Sequence, residues 1–178
     1  MTTIAERSPF PQVLVVEDNT GDVILLRLAF KRAGNGSKIT VADTAETALA
    51  MLARQGDYCG SPLPDLILLD LNLPRMHGLE FLKRIKSDPK LARIPAIVLT
   101  SSCAESDIAA SYLGHAVGFI TKPIGLDDYE KVVNGIATYW FRTVQTLDAN
   151  EAPVDRRPLV IPLAGPKIST VETNVAVS

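Results

Sequence analysis

At 178 residues the chain is long enough for one domain with a substantial core, and two domains would stretch it. Eighteen Lys and Arg stand against twenty Asp and Glu, a net charge of −2, and their mixed scatter offers no basic stripe to track a phosphate backbone, which argues against nucleic-acid binding. No apolar run nears the ~20 residues of a membrane helix and MTTIAERSPF lacks a signal-peptide core, so the expected setting is cytoplasmic, with no membrane partner. Cys59 and Cys103 are far apart and in no CxxC spacing, so neither a disulfide framework nor a zinc site is indicated.

After an N-terminal tail over residues 1–11, QVLVVED predicts a strand over 13–16 that ends in two acids. A helix over 20–33 places Ile24, Leu25, Leu28 and Ala29 on one face and stops at Gly34. KITVAD reads as a second strand and 44–55 as a second helix, followed by the loop RQGDYCGSPLPD. The third strand, 66–69, is apolar throughout, as a strand covered on both faces should be. A helix over 78–87, the connection SDPKLARIP, the strand AIVLT, a shorter helix over 104–113 and the strand GFIT come next. The last helix runs from 126 to about 144, with Leu126, Tyr129, Val133, Ile136 and Trp140 as its apolar positions.

This alternation predicts an α/β fold, a doubly wound five-stranded parallel sheet with helices on both faces, over residues 12–147. Residues 148–178 are rich in proline with little helical period; a disordered tail and an arm docking on another subunit are both open readings.

In such folds the chemistry sits at the carboxyl ends of the strands. The first strand delivers Glu17 and Asp18, the third Asp70, the fourth Thr100 and Ser101, and the fifth Lys122 followed by Pro123. Three acids in one cleft repel one another unless a proton or a cation relieves them. Oxygen ligands without Cys or His suit a hard ion, and Mg²⁺ keeps positions open for water and phosphate oxygens. Phosphoryl transfer needs positioning and charge neutralisation, which a metal, Lys122 and the Thr100 hydroxyl would provide from three sides, with Asp70 as nucleophile. A strand end holds that acid rigidly, while the loop after it is free to lend a backbone carbonyl to the metal. Taken singly, each residue has a plainer reading: a loop acid, a solvated lysine, a strand-end threonine. Their joint placement at successive strand ends carries the case. A P-loop enzyme does not fit, because GNGSKIT is not GxxxxGK[ST].

The motifs VLVVEDN, LILLDLNLPRMHG, IPAIVLTSS and FITKPI resemble, in that order, the receiver domain of two-component response regulators, the CheY-like family. The resemblance implies a flavodoxin-like strand order 2-1-3-4-5. It also implies a phosphoprotein whose Asp70 takes phosphate from a phosphohistidine on a sensor histidine kinase. Glu17, Asp18, Asp70 and the carbonyl of Asn72 would arrange Mg²⁺, Thr100 and Lys122 would contact the phosphoryl oxygens, and the Lys122–Pro123 peptide would be cis. Phe119, three residues before Lys122, resembles the switch aromatic that responds to Thr100, here without the hydroxyl of the commoner Tyr. Asn72 and Ser102 resemble the pair that tunes phosphate lifetime. The acid pair is Glu-Asp where many members have Asp-Asp, which leaves the charge intact.

RQGDYCGSPLPD, FLKRIKSDPKLARIPAIVLTSS and YWFRTV further resemble the single-domain subgroup that partners bacterial phytochrome kinases, whose members often dimerise through the last helix. Tyr139, Trp140 and Phe141 stand in a row that no single helix face can bury, which suggests a homodimer anchored by Trp140, Phe141 and Val144; packing on the tail is the plainer reading. The protein would not be an enzyme on a separate substrate but a phosphoacceptor catalysing its own phosphorylation and dephosphorylation. A dehalogenase-type enzyme would need a second Asp where Asn72 stands, and an FMN binder would not build its phosphate loop from Glu17 and Asp18. The remaining alternative is a phosphorylation-independent binding module. His77 reads as a loop residue and His115 as a helix-end residue.

Overall fold

The computed structural model describes residues 10–34, 36–101 and 105–138. Five strands form one parallel sheet: β1 (Gln12–Val16), β2 (Lys38–Ala42), β3 (Leu66–Leu69), β4 (Ala96–Thr100) and β5 (Gly118–Thr121), in the order β2-β1-β3-β4-β5. Between and after them lie α1 (Thr20–Ala33), α2 (Ala45–Leu52), α3 (Gly78–Ser87), α4 (Glu105–Leu113) and α5 (Leu126–Ile136).

Side chains that alternate along the strands feed two separate cores. Val13, Val15, Leu66, Leu68, Ile97 and Leu99 point to the face covered by α1 and α5, where they meet Leu26, Ala29, Phe30, Tyr129, Val132, Val133 and Ile136. Leu14, Val16, Ile67, Leu69, Ala96 and Val98 point to the other face and pack on Ala45, Ala48 and Leu52 of α2 and Phe81, Leu82 and Ile85 of α3. The three central strands are therefore apolar on both faces, which is why their sequences run without polar interruption.

Local signals set the helix ends. Asn19 caps α1 by accepting from the Gly21 and Asp22 N–H groups, and Gly34 closes it in the left-handed conformation. Thr44 caps α2 through the Thr47 N–H. His77 is the N-cap of α3, its Nδ1 accepting from the Leu79 N–H at 3.3 Å, a role beyond the loop position expected for it. His115 follows α4 with a φ of 61°.

Several expectations need correction. The buried face of α1 is Leu26, Ala29 and Phe30, whereas Ile24 and Leu28 are exposed. The helix drew its apolar residues from more than one stripe, and only the stripe shared with α5 is covered. In α5, Val132 joins Tyr129, Val133 and Ile136 in the core. The second helix ends at Leu52 and a 3-10 turn at Gly56–Tyr58 takes over. No peptide bond among the described residues is cis, so Lys122–Pro123 is trans, the isomer an X–Pro bond favours intrinsically. Ser102, Cys103, Trp140, Phe141, Val144 and the 148–178 tail lie outside the described residues.

Candidate functional site

The carboxyl ends of β1, β3, β4 and β5 meet in one cleft. In-register parallel pairing sets Val16 beside Leu69 and Thr100 beside Thr121, so the residues that follow each strand emerge side by side. Glu17 is still held at the sheet edge, donating its N–H to the Ala42 carbonyl at 2.9 Å, and Asp70 donates its own to Val16 at 3.0 Å. Lys122 likewise donates its backbone N–H to the Thr100 carbonyl at 2.8 Å. Glu17, Asp70 and Lys122 thus sit on backbone that is already hydrogen-bonded into the sheet.

Glu17 and Asp70 are buried and Asp18 is exposed, and one oxygen from each of these three acids lies within 4.8 Å of the others. That is a donor set for a hard divalent cation: oxygen only, high negative charge, and one ligand open to solvent. Against these acids, the Lys122 ammonium donates to Asp70 Oδ2 at 2.7 Å and reaches Glu17 Oε2 at 2.7 Å. It also donates to Asp22 Oδ2 at 2.9 Å. Asp70 Oδ1 accepts from the Asn72 N–H at 3.1 Å, and Asn72 Nδ2 reaches Thr100 Oγ1 at 3.4 Å. Thr100 is fully buried, and Phe119 is partly buried against the α2 and α3 side of the core.

Burial shapes the charges. It pushes the Glu17 carboxyl up to about 7, outweighing the Lys122 hydrogen bond that pulls it down. Burial alone would lower the Lys122 ammonium, but bonds to Asp70, Glu17 and Asp22 together hold it above the usual lysine range, so it is a permanent cation. The chemistry open to such a pocket is the binding of a cation and of a phosphoryl group between that cation and the lysine.

The structure therefore brings together Glu17, Asp18, Asp70, Asn72, Thr100 and Lys122. Two partners of this site were not anticipated. Asp22, in the first turn of α1, binds Lys122 and also accepts from the Tyr129 hydroxyl at 3.0 Å. An acid in a first helical turn reads locally as a partner of the helix dipole, and a helical tyrosine as core; only the tertiary fold joins them to a lysine on β5's exit.

A doubly wound α/β protein whose polar residues converge beyond the strand ends is the class that fold and site define. The family model of the response regulator receiver domain matches residues 13–134, and the chain belongs to that family. It is 42% identical over 139 residues to response regulator Rcp1 of Synechocystis, covering 78% of this chain and 95% of that protein. Among solved structures it is similar to the phosphorylated cyanobacterial phytochrome response regulator RcpA, with a TM-score of 0.71 and 40% identity over 75% of this chain and 96% of the other. The Mn²⁺-bound form of Rcp1 gives a TM-score of 0.69 and 41% identity, with the same coverage.

Proposed function

We propose that this receiver is a single-domain response regulator in which Asp70 accepts a phosphoryl group from a sensor histidine kinase, in a Mg²⁺-dependent reaction. The observation that carries this is the contact of the Lys122 ammonium with Asp70 at 2.7 Å, at a site where oxygens of Glu17, Asp18 and Asp70 converge within 4.8 Å. The Mn²⁺-bound form of the similar Rcp1 supports a divalent cation in this pocket.

Glu17, Asp18, Asp70 and the Asn72 carbonyl would hold Mg²⁺, which supplies positive charge to the transferring oxygens and a fixed geometry. An Asp70 carboxylate oxygen attacks the phosphorus; the bond from phosphorus to the donor's imidazole nitrogen breaks, and an acyl phosphate is left on Asp70. Lys122 takes up negative charge on the phosphoryl oxygens, and the Thr100 hydroxyl donates to another of them. Water later cleaves the acyl phosphate, and Asn72 and Ser102, the pair that resembles the family's tuning positions, would set how fast it does so. Phe119 follows Thr100 as the packing switch.

The resemblance to a phytochrome response regulator favours a phytochrome kinase as donor. The domain spans 12–147, the protein acts in the cytoplasm, and output runs through partner binding or a homodimer anchored by Trp140, Phe141 and Val144. Incubation of the full chain with acetyl phosphate, read by intact-protein mass spectrometry, tests the assignment. Wild type should gain one phosphoryl mass only with Mg²⁺ present, and Asp70→Asn should gain none. Labelling of Asp70→Asn would refute the acceptor, and an unlabelled wild type, also with a cognate kinase, would leave a phosphorylation-independent binding module.

A further inference from the structure

A lysine ammonium has three N–H donors, and Lys122 spends them on three carboxylates: Asp70, Glu17 and Asp22. Two of these belong to the acid trio whose oxygens converge for a cation, while Asp22 stands outside it, on α1. The bonds to Asp70 and Glu17 lie where phosphoryl chemistry must occur, so they are the ones exchanged when a phosphoryl oxygen needs a donor. The bond to Asp22 is outside that zone and can persist.

Asp22 is itself held from behind. Its Oδ2 accepts from Lys122 and its Oδ1 accepts from the hydroxyl of Tyr129, a residue with no exposed surface in the first turn of α5. Burial and the Asp22 charge both raise the Tyr129 pKa, so the phenol stays protonated and donates. The chain Tyr129 to Asp22 to Lys122 joins the last helix, the first helix and the exit of β5. Lysine has a flexible four-carbon stem, and a carboxylate fixed at both oxygens restricts where its head can go.

We propose that Asp22, oriented by the Tyr129 hydroxyl, is the positioning residue that holds the Lys122 ammonium over Asp70, a reading that rests on the phosphoacceptor role given to Asp70 above. Asp22 touches no reacting atom; it acts through Lys122. Its effect therefore belongs on the rate of phosphoryl transfer rather than on the binding of the donor.

The experiment uses the full chain labelled with ¹⁵N-lysine, with the Lys122 ammonium followed by proton-detected NMR and assigned by its loss in Lys122→Arg. In wild type the ammonium gives a resolved, slowly exchanging signal. In Asp22→Asn and in Tyr129→Phe the signal moves toward that of surface lysines or broadens away, while circular dichroism keeps the folded spectrum. Phosphorylation by acetyl phosphate at saturating Mg²⁺ then falls about tenfold in kcat for Asp22→Asn and about threefold for Tyr129→Phe, with KM changed less than about twofold. An unmoved Lys122 signal, or a moved signal with wild-type kcat, in Tyr129→Phe overturns the positioning role. That conservative variant decides the matter if Asp22→Asn does not fold. A wild type that takes no label while the signal responds to both substitutions overturns the role of Asp70 and leaves Asp22 as the holder of Lys122.

Discussion

Lys122 and Asp70, 52 residues apart in the chain, are joined by a 2.7 Å hydrogen bond inside a pocket where both side chains are largely shielded from solvent. The bond makes the lysine the internal counter-charge of the site: without it Glu17 and Asp70 are buried carboxylates with no other ion-pair partner among the described residues. Removing one partner of such a cluster costs about 3–5 kcal/mol, because the remaining charge keeps its desolvation penalty. Lys122→Met should therefore unfold at clearly lower urea concentration than wild type in EDTA, and millimolar Mg²⁺ should restore more stability to the variant than it adds to wild type. Equal urea midpoints for the two proteins in EDTA would show that Lys122 does not balance the acids.

Gly78 opens α3 against the backbone of Asp70 and Leu71. A Cβ at this position would lie 2.4 Å from the Asp70 carbonyl oxygen and 2.7 Å from the Leu71 Cα. Both obstacles are backbone, so the helix or the loop has to move, at a cost of about 1–3 kcal/mol. Gly78→Ala should show that loss in chemical denaturation, together with weaker Mg²⁺ binding by calorimetry as Asp70 shifts. Gly125, which has nothing within 4 Å of an added Cβ, is the control, and Gly125→Ala should stay within about 0.5 kcal/mol of wild type.

The stability of the metal-free protein should depend on pH through Glu17. Its folded pKa is raised by burial to about 7 from an ordinary 4.5, so the folded chain holds this proton more tightly than the unfolded chain. The unfolded state then binds fewer protons between those values, and stability falls as pH rises from about 4.5 through about 7. Urea midpoints measured across that window in EDTA should decline for wild type and be flatter for Glu17→Gln. A wild-type curve that rises there would reverse the sign assigned to Glu17.

Helix α1 offers a comparison between two leucines two positions apart. Leu26 is buried against α5, whereas Leu28 is 40% exposed. Leu26→Ala should cost about 2–5 kcal/mol, and Leu28→Ala well under half of that. Equal losses would mean that the covered stripe of α1 has been misplaced.

The same helix shows why the sequence was legible only in part. Strand positions such as Ile67 and Val98 announce themselves, because a central parallel strand has no solvent face and excludes polar residues. The acids and the lysine at the strand ends were equally visible, since the parallel fold gathers strand ends wherever the strands pair. In α1, by contrast, apolar residues ring more of the helix than the core needs, and Ile24 competes with Leu26 until α5 is in place to choose between them. Asp22 and Tyr129 were invisible as site residues for a related reason. Their partners lie 100 and 107 residues away, and neither has a local pattern that depends on them. His77 as a helix cap rests on a side-chain nitrogen accepting from Leu79, a use of histidine less common than the hydroxyl or carboxamide caps that Asn19 and Thr44 illustrate.

The packing of α1 on α5 has a consequence for the order in which the molecule is made. A ribosome releases Glu17, Asp18 and Asp70 long before Lys122 and Tyr129, so an emerging chain carries its acids without their counter-charge. One face of the sheet also stays only partly covered, by α1, until the final helix arrives, since α5 supplies Tyr129, Val132, Val133 and Ile136 to that core. Closure of the pocket and completion of the fold are for this reason a single late event, and a nascent chain stopped before residue 122 has neither.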